Sequence, residues 1–144
     1  MRYFEDIEVG KISTSGPYEL TESGIIDFAT QWDPFPFHTD VQAAKDSVFA
    51  GLTASNCHTV SIACRLFHEI EMDAVLAAMG HEYQYPNPAR VGDQLTLETK
   101  AIEKRESRSK PDRGIVQGET YLKNQDKTIV LVMKSTVMVA KNPK

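Results

Sequence analysis

The sequence has little cysteine, no excess of positive charge and no long apolar run. Two cysteines in 144 residues are too few for the disulfide framework of a small secreted domain. A formal net charge of −4 argues against a general nucleic-acid binder, because such proteins carry a basic surface. Its apolar stretches, such as residues 129–133, are far too short to cross a bilayer, so we expect no membrane span.

The N-terminal segment also lacks the features of a secretion signal. It has no basic region followed by an apolar core, which favours a cytoplasmic protein. Cys57 and Cys64 lie seven residues apart in a predicted helix, which separates their Cα atoms by roughly 10 Å. Because a disulfide needs less than about 7 Å, we expect two reduced thiols packed in the core.

The size and composition are those of one globular domain. Hydrophobic residues make up 41% and charged residues 25% of the chain, both ordinary values. A length of 144 residues is enough to bury a core, and no linker or repeat divides the sequence. We therefore treat residues 1–144 as a single domain.

The first third of the chain predicts a strand and then two helices. Residues 11–20 are expected to form the strand, and Thr21 is a suitable N-cap for the helix after it. Pro34 ends that helix, because the residue before a proline disfavours the α conformation. Residues 33–39 are therefore expected to be irregular, before a short helix capped by Asp40. The first helix has apolar side chains at i, i+3, i+4 and i+7, namely Ile25, Phe28, Ala29 and Trp32.

The longest helical pattern follows Gly51 and is expected to end at Gly80. Beyond Gly80 the pattern changes to period two, which predicts strands over residues 94–101, 114–123 and 128–140. One strand, then helices, then a run of strands predicts an α+β fold with an antiparallel sheet and helices on one face. The apolar stripe of the long helix consists of Val60, Ala63, Cys64, Phe67 and Ile70.

Asp33 and His38 are the main candidates for catalysis. They lie five residues apart in a segment that contains two prolines, which restrict the backbone and fix both side chains at low entropic cost. A carboxylate and an imidazole together can hold one water, take a proton from it and return a proton elsewhere. The structural alternative is that Asp33 only ends a helix and His38 only binds a backbone group.

This segment resembles the signature of MaoC-like dehydratases and (R)-specific enoyl-CoA hydratases, in which Asp-x-Asn-Pro-x-His is the pattern. Asp33, Pro36 and His38 match it, and Phe35 stands in the position of the Asn. The resemblance continues through residues 40–45, 48–52, 88–93 and 103–114, and so covers nearly the whole chain.

The resemblance implies a hot-dog fold, an antiparallel sheet wrapped around a long central helix. It also implies a homodimer or a dimer-based higher oligomer, because one such sheet leaves much of its surface uncovered. The implied reaction is hydration of a trans-2-enoyl-CoA to a 3-hydroxyacyl-CoA, or the reverse, in fatty acid metabolism. Asp33 would act as general base and His38 would orient the water. No metal or redox cofactor is implied, since coenzyme A belongs to the substrate.

The resemblance also suggests the substrate-binding residues. The family carries His-Gly at the start of the central helix, where this chain has Ser55 and Asn56. A helix N-terminus offers free N–H groups whatever the side chain, so the Asn56 N–H is expected to stabilise the enolate oxygen. Ser55, Phe35 and Gly51 complete the set near the motif.

A basic connection between two later strands is the candidate for binding the phosphates of coenzyme A. Its predicted contacts are Arg105, Arg108 and Arg113. The alternative is an ordinary solvated hairpin loop.

Several other interpretations stay open. Glu69 and Glu71 would serve a hot-dog acyl-CoA thioesterase, although solvated helix surface is the simpler interpretation. A non-catalytic acyl-CoA-binding protein is the second alternative. Cys64 and His68 have a metal-compatible spacing, but two ligands do not make a zinc site, so we expect no metal. His58 is expected to be a packed or capping histidine.

Overall fold

The computed structural model describes residues 1–143. After a short 3-10 helix, Phe4–Asp6, a strand is followed by four helices and then by four further strands. The helices are α1 (Glu22–Trp32), α2 (Pro36–Thr39), α3 (Val41–Lys45) and α4 (Asn56–Phe67). The strands are β1 (Ser13–Glu19), β2 (Val75–Gln84), β3 (Gln94–Glu106), β4 (Arg113–Lys123) and β5 (Ile129–Ala140).

The five strands form one antiparallel sheet in the order β1-β3-β4-β5-β2. Two hairpins join β3 to β4 and β4 to β5, while β1 and β2 are added at the two edges. Helix α4 packs across β1, β3 and β5. The prediction of an α+β hot-dog fold is therefore confirmed, with a central helix of 12 residues.

The main core lies between α4 and the half of the sheet that it covers. Ile62 and Leu66 of α4 are almost fully buried, as are Leu97 of β3 and Leu122 of β4, which are opposite each other in the sheet. Full burial of such a side chain stabilises the fold by roughly 1.5–3 kcal/mol. This packing fixes the position of α4, and with it the position of the helix N-terminus.

A second, smaller cluster anchors the N-terminal segment at the far end of the sheet. It contains Phe4, Ile7, Ala74, Val116 and Val139. The Phe4 ring lies directly over Gly114, where a Cβ atom would be only 2.2 Å from the ring.

The predicted long helix was wrong in its second half. Helix α4 ends at Phe67, and residues 75–84 form strand β2 instead. Leu, Ala and Met are strong helix formers, so the local sequence favours a helix. Pairing with β5 along the whole length of β2 outweighs that preference. All ten residues of β2 are exposed, so the strand lacks the alternation of buried and exposed positions that would have revealed it.

The expectation that both cysteines are core residues was also wrong, because Cys57 and Cys64 are exposed. The buried face of α4 carries His58, Thr59, Ile62, Ala63 and Leu66, and both thiols lie on the opposite side of the helix. Among residues 1–143, none of the helices has both the length and the apolarity needed to cross a membrane.

Candidate active site

Asp33 is held at the C-terminal end of α1. Its N–H donates to the Ala29 carbonyl at 2.9 Å, and Pro34 prevents the helix from continuing. Thr21 fixes the other end of the helix, since its Oγ1 accepts from the Gly24 N–H at 3.0 Å. The Asp33 side chain is 24% exposed, so the carboxylate can meet a ligand while its position is set by the helix.

His38 lies in α2, a single helical turn with Pro36 at its first position. Its Nδ1 is 2.6 Å from the Thr53 carbonyl oxygen. Because a carbonyl only accepts, Nδ1 carries the proton and Nε2 is left as an acceptor. The Nε2 atom is 3.9 Å from Asp33 Oδ2. That distance is too long for a direct hydrogen bond and suits a group held between the two side chains.

Ser55 orients the Asp33 carboxylate through a hydrogen bond. Its hydroxyl donates to Asp33 Oδ2 at 2.6 Å, and its Oγ also accepts from the Cys57 N–H at 3.2 Å as the N-cap of α4. Ser55 is fully buried and lies outside the lining of the cavity in front of Asp33. The resemblance implies a substrate contact for Ser55, whereas its side-chain hydrogen bonds in the structure are with the Asp33 carboxylate and the Cys57 N–H.

The N-terminus of α4 borders the same cavity. Asn56 is the first residue of the helix, so its N–H has no acceptor within the helix. The partial positive charge of the helix end adds to the pull of this N–H on a negatively charged oxygen. Asn56 is exposed and lines the cavity.

Asp33, His38 and Asn56 face one cavity of about 490 Å³. Aromatic side chains form part of its walls. Phe35, which stands where the family pattern has Asn, stacks on Phe37 with 5.3 Å between ring centroids. The remaining lining residues are Phe49, Thr53, Ala54, Tyr85, Pro86, Asn87 and Pro88.

The segment after β2 forms one wall that sequence reasoning missed. Residues 85–88 read Tyr-Pro-Asn-Pro, and two alternating prolines were the available signal for a rigid loop. Asn87 fixes this wall by donating from Nδ2 to the Ile129 carbonyl at 2.9 Å. Gly51, by contrast, lies outside the cavity lining and makes a turn contact, with its N–H on the Ala44 carbonyl at 3.0 Å.

The three arginines of the basic connection lie at the other end of the sheet. Arg113 is opposite Ala140 at the end of β5. Tyr85 of the cavity lining directly follows Gln84, which pairs with Val132 near the start of β5. Eight residues of strand separate these points by about 27 Å. Arg113 is also paired with Asp112, its Nε lying 2.7 Å from Oδ1. Within one chain, Arg105, Arg108 and Arg113 therefore do not line the cavity.

His58 is packed, as expected, and lies outside the cavity lining. Its ring stacks on Phe28 of α1 with centroids 4.5 Å apart, and only 6% of the residue is exposed. Burial lowers the pKa of His58, and its Nδ1 has no hydrogen-bond partner. Glu69 and Glu71 are exposed beyond the end of α4. In residues 1–143, no three His, Cys, Asp or Glu side chains are grouped as a metal site.

The sequence profile of the MaoC like domain matches residues 6–122, which includes the Asp33–His38 segment, α4 and most of the sheet. The chain belongs to the MaoC-like family. The resemblance identified from the motif is thereby confirmed.

Individual relatives agree with this membership. Protein MaoC of Klebsiella aerogenes is 30% identical over 112 residues, covering 74% of this chain and 33% of that protein. The chain therefore spans about a third of the length of that relative.

Among solved structures, a MaoC-like dehydratase from Rhodospirillum rubrum superposes with a TM-score of 0.94 at 35% identity, over the full length of both chains. The R-hydratase PhaJ1 of Pseudomonas aeruginosa has a TM-score of 0.76 at 18% identity, over 97% of this chain and 86% of that one. At that identity the likeness shows a shared fold.

Proposed function

We propose that this MaoC-like protein adds water to a trans-2-enoyl-CoA, forming a 3-hydroxyacyl-CoA, or catalyses the reverse dehydration. The observation that carries the proposal is the geometry of the cavity, where Asp33 Oδ2 lies 3.9 Å from His38 Nε2 beside the free N-terminus of α4. This arrangement provides a base, a water-orienting acceptor and a site for a developing negative charge in one place.

In the proposed hydration, a water lies between the two side chains. Asp33 takes a proton from it while His38 Nε2 accepts its second hydrogen, and the oxygen bonds to the β-carbon of the enoyl group. The electron pair of the double bond moves to the thioester oxygen, where the Asn56 N–H and the helix end stabilise the enolate. A proton is then returned to the α-carbon, so that the protein is unchanged at the end of the cycle.

Catalysis in this scheme needs no cofactor besides the coenzyme A of the substrate, and a cytoplasmic role in fatty acid metabolism remains our expectation. We also propose a homodimer. The support for it is β2, a ten-residue edge strand with every residue exposed, which a second copy of the strand can cover by antiparallel pairing. Coenzyme A binding by the distant arginines is an expectation without support from a single chain.

Acyl-CoA hydrolysis finds no comparable support. Glu69 and Glu71, its candidate carboxylates, are exposed and do not line the cavity of Asp33 and His38. A non-catalytic acyl-CoA-binding protein would share the cavity but would not need a base poised beside an imidazole.

One assay distinguishes these functions. The protein is incubated with a panel of enoyl- and acyl-CoA thioesters of different lengths, while enoyl absorbance and free thiol are followed together. Loss of absorbance without thiol release is the expected result. Thiol release would identify a thioesterase, and binding without turnover across the panel would identify a binding protein.

A further inference from the structure

The charged end of the proposed substrate has no partner in the catalytic cavity itself. Coenzyme A carries a diphosphate at the far end of its pantetheine arm and a further phosphate on its ribose. In residues 1–143, the lining of the cavity includes the acid Asp33 but no lysine or arginine. A phosphate is held best by positively charged side chains, so cations are needed at the edge of the cavity.

Arg90 lies at this edge, two residues beyond Pro88 of the cavity lining. It pairs with Thr53, another lining residue, in an isolated antiparallel bridge, so the backbone there is extended. Side chains of an extended segment alternate in direction. Because Ala89 is buried at 2% exposure, Pro88 and Arg90 both face away from the core, on the side where the cavity opens.

The guanidinium of Arg90 lies against the turn between α3 and α4. A Cβ atom on Gly51 would be 3.4 Å from Nη1 of Arg90, and Phe49 of the same turn lines the cavity. The Gly51 N–H donates to the Ala44 carbonyl at 3.0 Å, and Lys45 is the next residue and the last of α3. Arg90 and Lys45 therefore adjoin one turn beside the cavity, and we call them the basic pair.

The basic pair is not neutralised by acids within residues 1–143. Neither Arg90 nor Lys45 takes part in an ion pair there. The acids near Lys45 in the sequence have other partners, since Asp40 is the N-cap of α3 and Asp46 accepts from Gln42 Nε2 at 3.4 Å. Two positive charges are thus left available to a ligand.

The backbone of Arg90 is fixed although its side chain is exposed. Its N–H donates to Oδ2 of Asp93 at 2.9 Å, and the Asp93 N–H donates back to the Arg90 carbonyl at 3.1 Å. Asp93 is only 7% exposed. A guanidinium on a rigid backbone suits a phosphate, because its planar group presents several N–H donors at once.

We propose that Arg90 and Lys45 bind the phosphate at the end of the pantetheine arm of the thioester substrate. The proposal rests on the hydratase function proposed above and assigns the residues that recognise the carrier group. It applies to coenzyme A and to the phosphopantetheine of a carrier protein, because both have a phosphate at that end of the arm. Recognition of the substrate then depends on this phosphate, whereas the chemistry at Asp33 does not.

The test compares crotonyl-CoA with the crotonyl thioester of N-acetylcysteamine, which has no phosphate. Arg90→Ala should lower kcat/KM for crotonyl-CoA by about ten- to hundredfold, the worth of hydrogen bonds to a charged group. The loss should be in KM, with kcat and the values for the truncated thioester within about twofold of native. Added salt should weaken use of crotonyl-CoA in the same direction. Arg90→Lys should restore part of the loss, because it keeps the charge.

The matched control is Arg65→Ala. Arg65 is an exposed arginine of α4 that does not line the catalytic cavity, so its removal changes the net charge equally and should leave both substrates unaffected. Equal losses in the Arg90 and Arg65 variants would overturn the proposal. So would an equal loss on the truncated thioester, because Arg90 would then act through the turn. Lys45→Ala, with a smaller loss confined to crotonyl-CoA, serves if Arg90→Ala does not fold.

A second arm of the experiment distinguishes the two sources of the phosphate. Crotonyl-CoA is replaced by a crotonyl carrier protein, and kcat/KM is measured for the native protein and for Arg90→Ala. The source is the substrate on which the native protein is active and Arg90→Ala lowers kcat/KM. Activity on either substrate that is insensitive to both Arg90→Ala and Lys45→Ala would reject the site.

A binding measurement separates this inference from the hydratase function. Calorimetry with phosphopantetheine and with pantetheine needs no turnover. Tighter binding of phosphopantetheine, lost in Arg90→Ala and kept in Arg65→Ala, supports the site even if no enoyl thioester is hydrated. Equal affinity for the two compounds would reject the site even in an active hydratase.

Discussion

The Ser55 hydroxyl donates a 2.6 Å hydrogen bond to Oδ2 of Asp33, and this contact joins the end of α1 to the start of α4. Because Ser55 also caps α4 through the Cys57 N–H, a single buried oxygen orients both the proposed base and the helix end beside it. Because the hydroxyl carries no charge, it orients the carboxylate without forming an ion pair with it.

Ser55→Ala should therefore lower both activity and stability. Loss of an N-cap costs about 1 kcal/mol of unfolding free energy, and an Asp33 carboxylate free to rotate should lower kcat. The control is Thr21→Ala, which removes the N-cap of α1 (Gly24 N–H to Oγ1, 3.0 Å). It should show a similar loss in denaturant unfolding with little change in kcat. Equal effects of the two variants on kcat would mean that Ser55 acts only through stability.

Asp33→Asn should abolish most activity while the fold persists. The amide oxygen can still accept from the Ser55 hydroxyl, but the side chain can no longer take a proton, so kcat should fall by roughly 10²–10⁴. Melting temperature and kcat are measured on the same preparation. A folded variant that retains near-native hydration would contradict the proposed mechanism, and a large drop in melting temperature at unchanged kcat would favour a structural role.

His38→Gln removes the imidazole that is proposed to orient the water. We expect a loss of kcat in the same range, roughly 10²–10⁴. The double variant with Asp33→Asn should be scarcely worse than either single one, because the two residues act on one water. Additive losses in this double-mutant cycle would show that the two side chains act independently.

His58 should make stability depend on pH. Its pKa is lowered by burial, so below its ordinary value of about 6.5 the unfolded chain binds a proton more readily than the folded chain. Stability is then greatest above about pH 6.5 and decreases as the pH falls towards the folded pKa. His58→Phe keeps the ring stacked on Phe28 and removes the titration. Its melting temperature should change less than that of the native protein between pH 8 and pH 5, and parallel curves would contradict this account.

Met79→Lys tests the proposed dimer. Met79 is next to the midpoint of β2, and symmetric antiparallel pairing centred on it would place the two Met79 side chains directly opposite each other. Two lysines there would repel each other, and light scattering should report a monomer. Val48→Lys, at a residue 95% exposed and outside β2, should leave the dimer intact. A native protein that is monomeric at micromolar concentration would contradict the pairing.

Local sequence predicted Asp33 and His38 because the chemistry and the two prolines lie within six residues. It predicted β3, β4 and β5 because apolar and polar residues alternate along these strands. It missed β2, since an edge strand with both faces exposed lacks this alternation. It did not reveal the contact between Ser55 and Asp33, which spans 22 residues, and it could not place the arginines relative to the cavity, because charge gives no information about distance along a sheet.

The position of β2 in the sheet also has a consequence for the order of folding. The strands β3, β4 and β5 pair through short hairpins, whereas β2 pairs with a strand more than 40 residues later, as in Gln84 with Val132 and Val75 with Val139. Contacts of such high sequence separation form slowly, because the intervening chain must be ordered first. During synthesis β2 is made before β5 and cannot pair until β5 has also been made. The wall of the cavity at residues 85–88, which follows β2 and is fastened to Ile129, should therefore be among the last parts of the protein to become ordered.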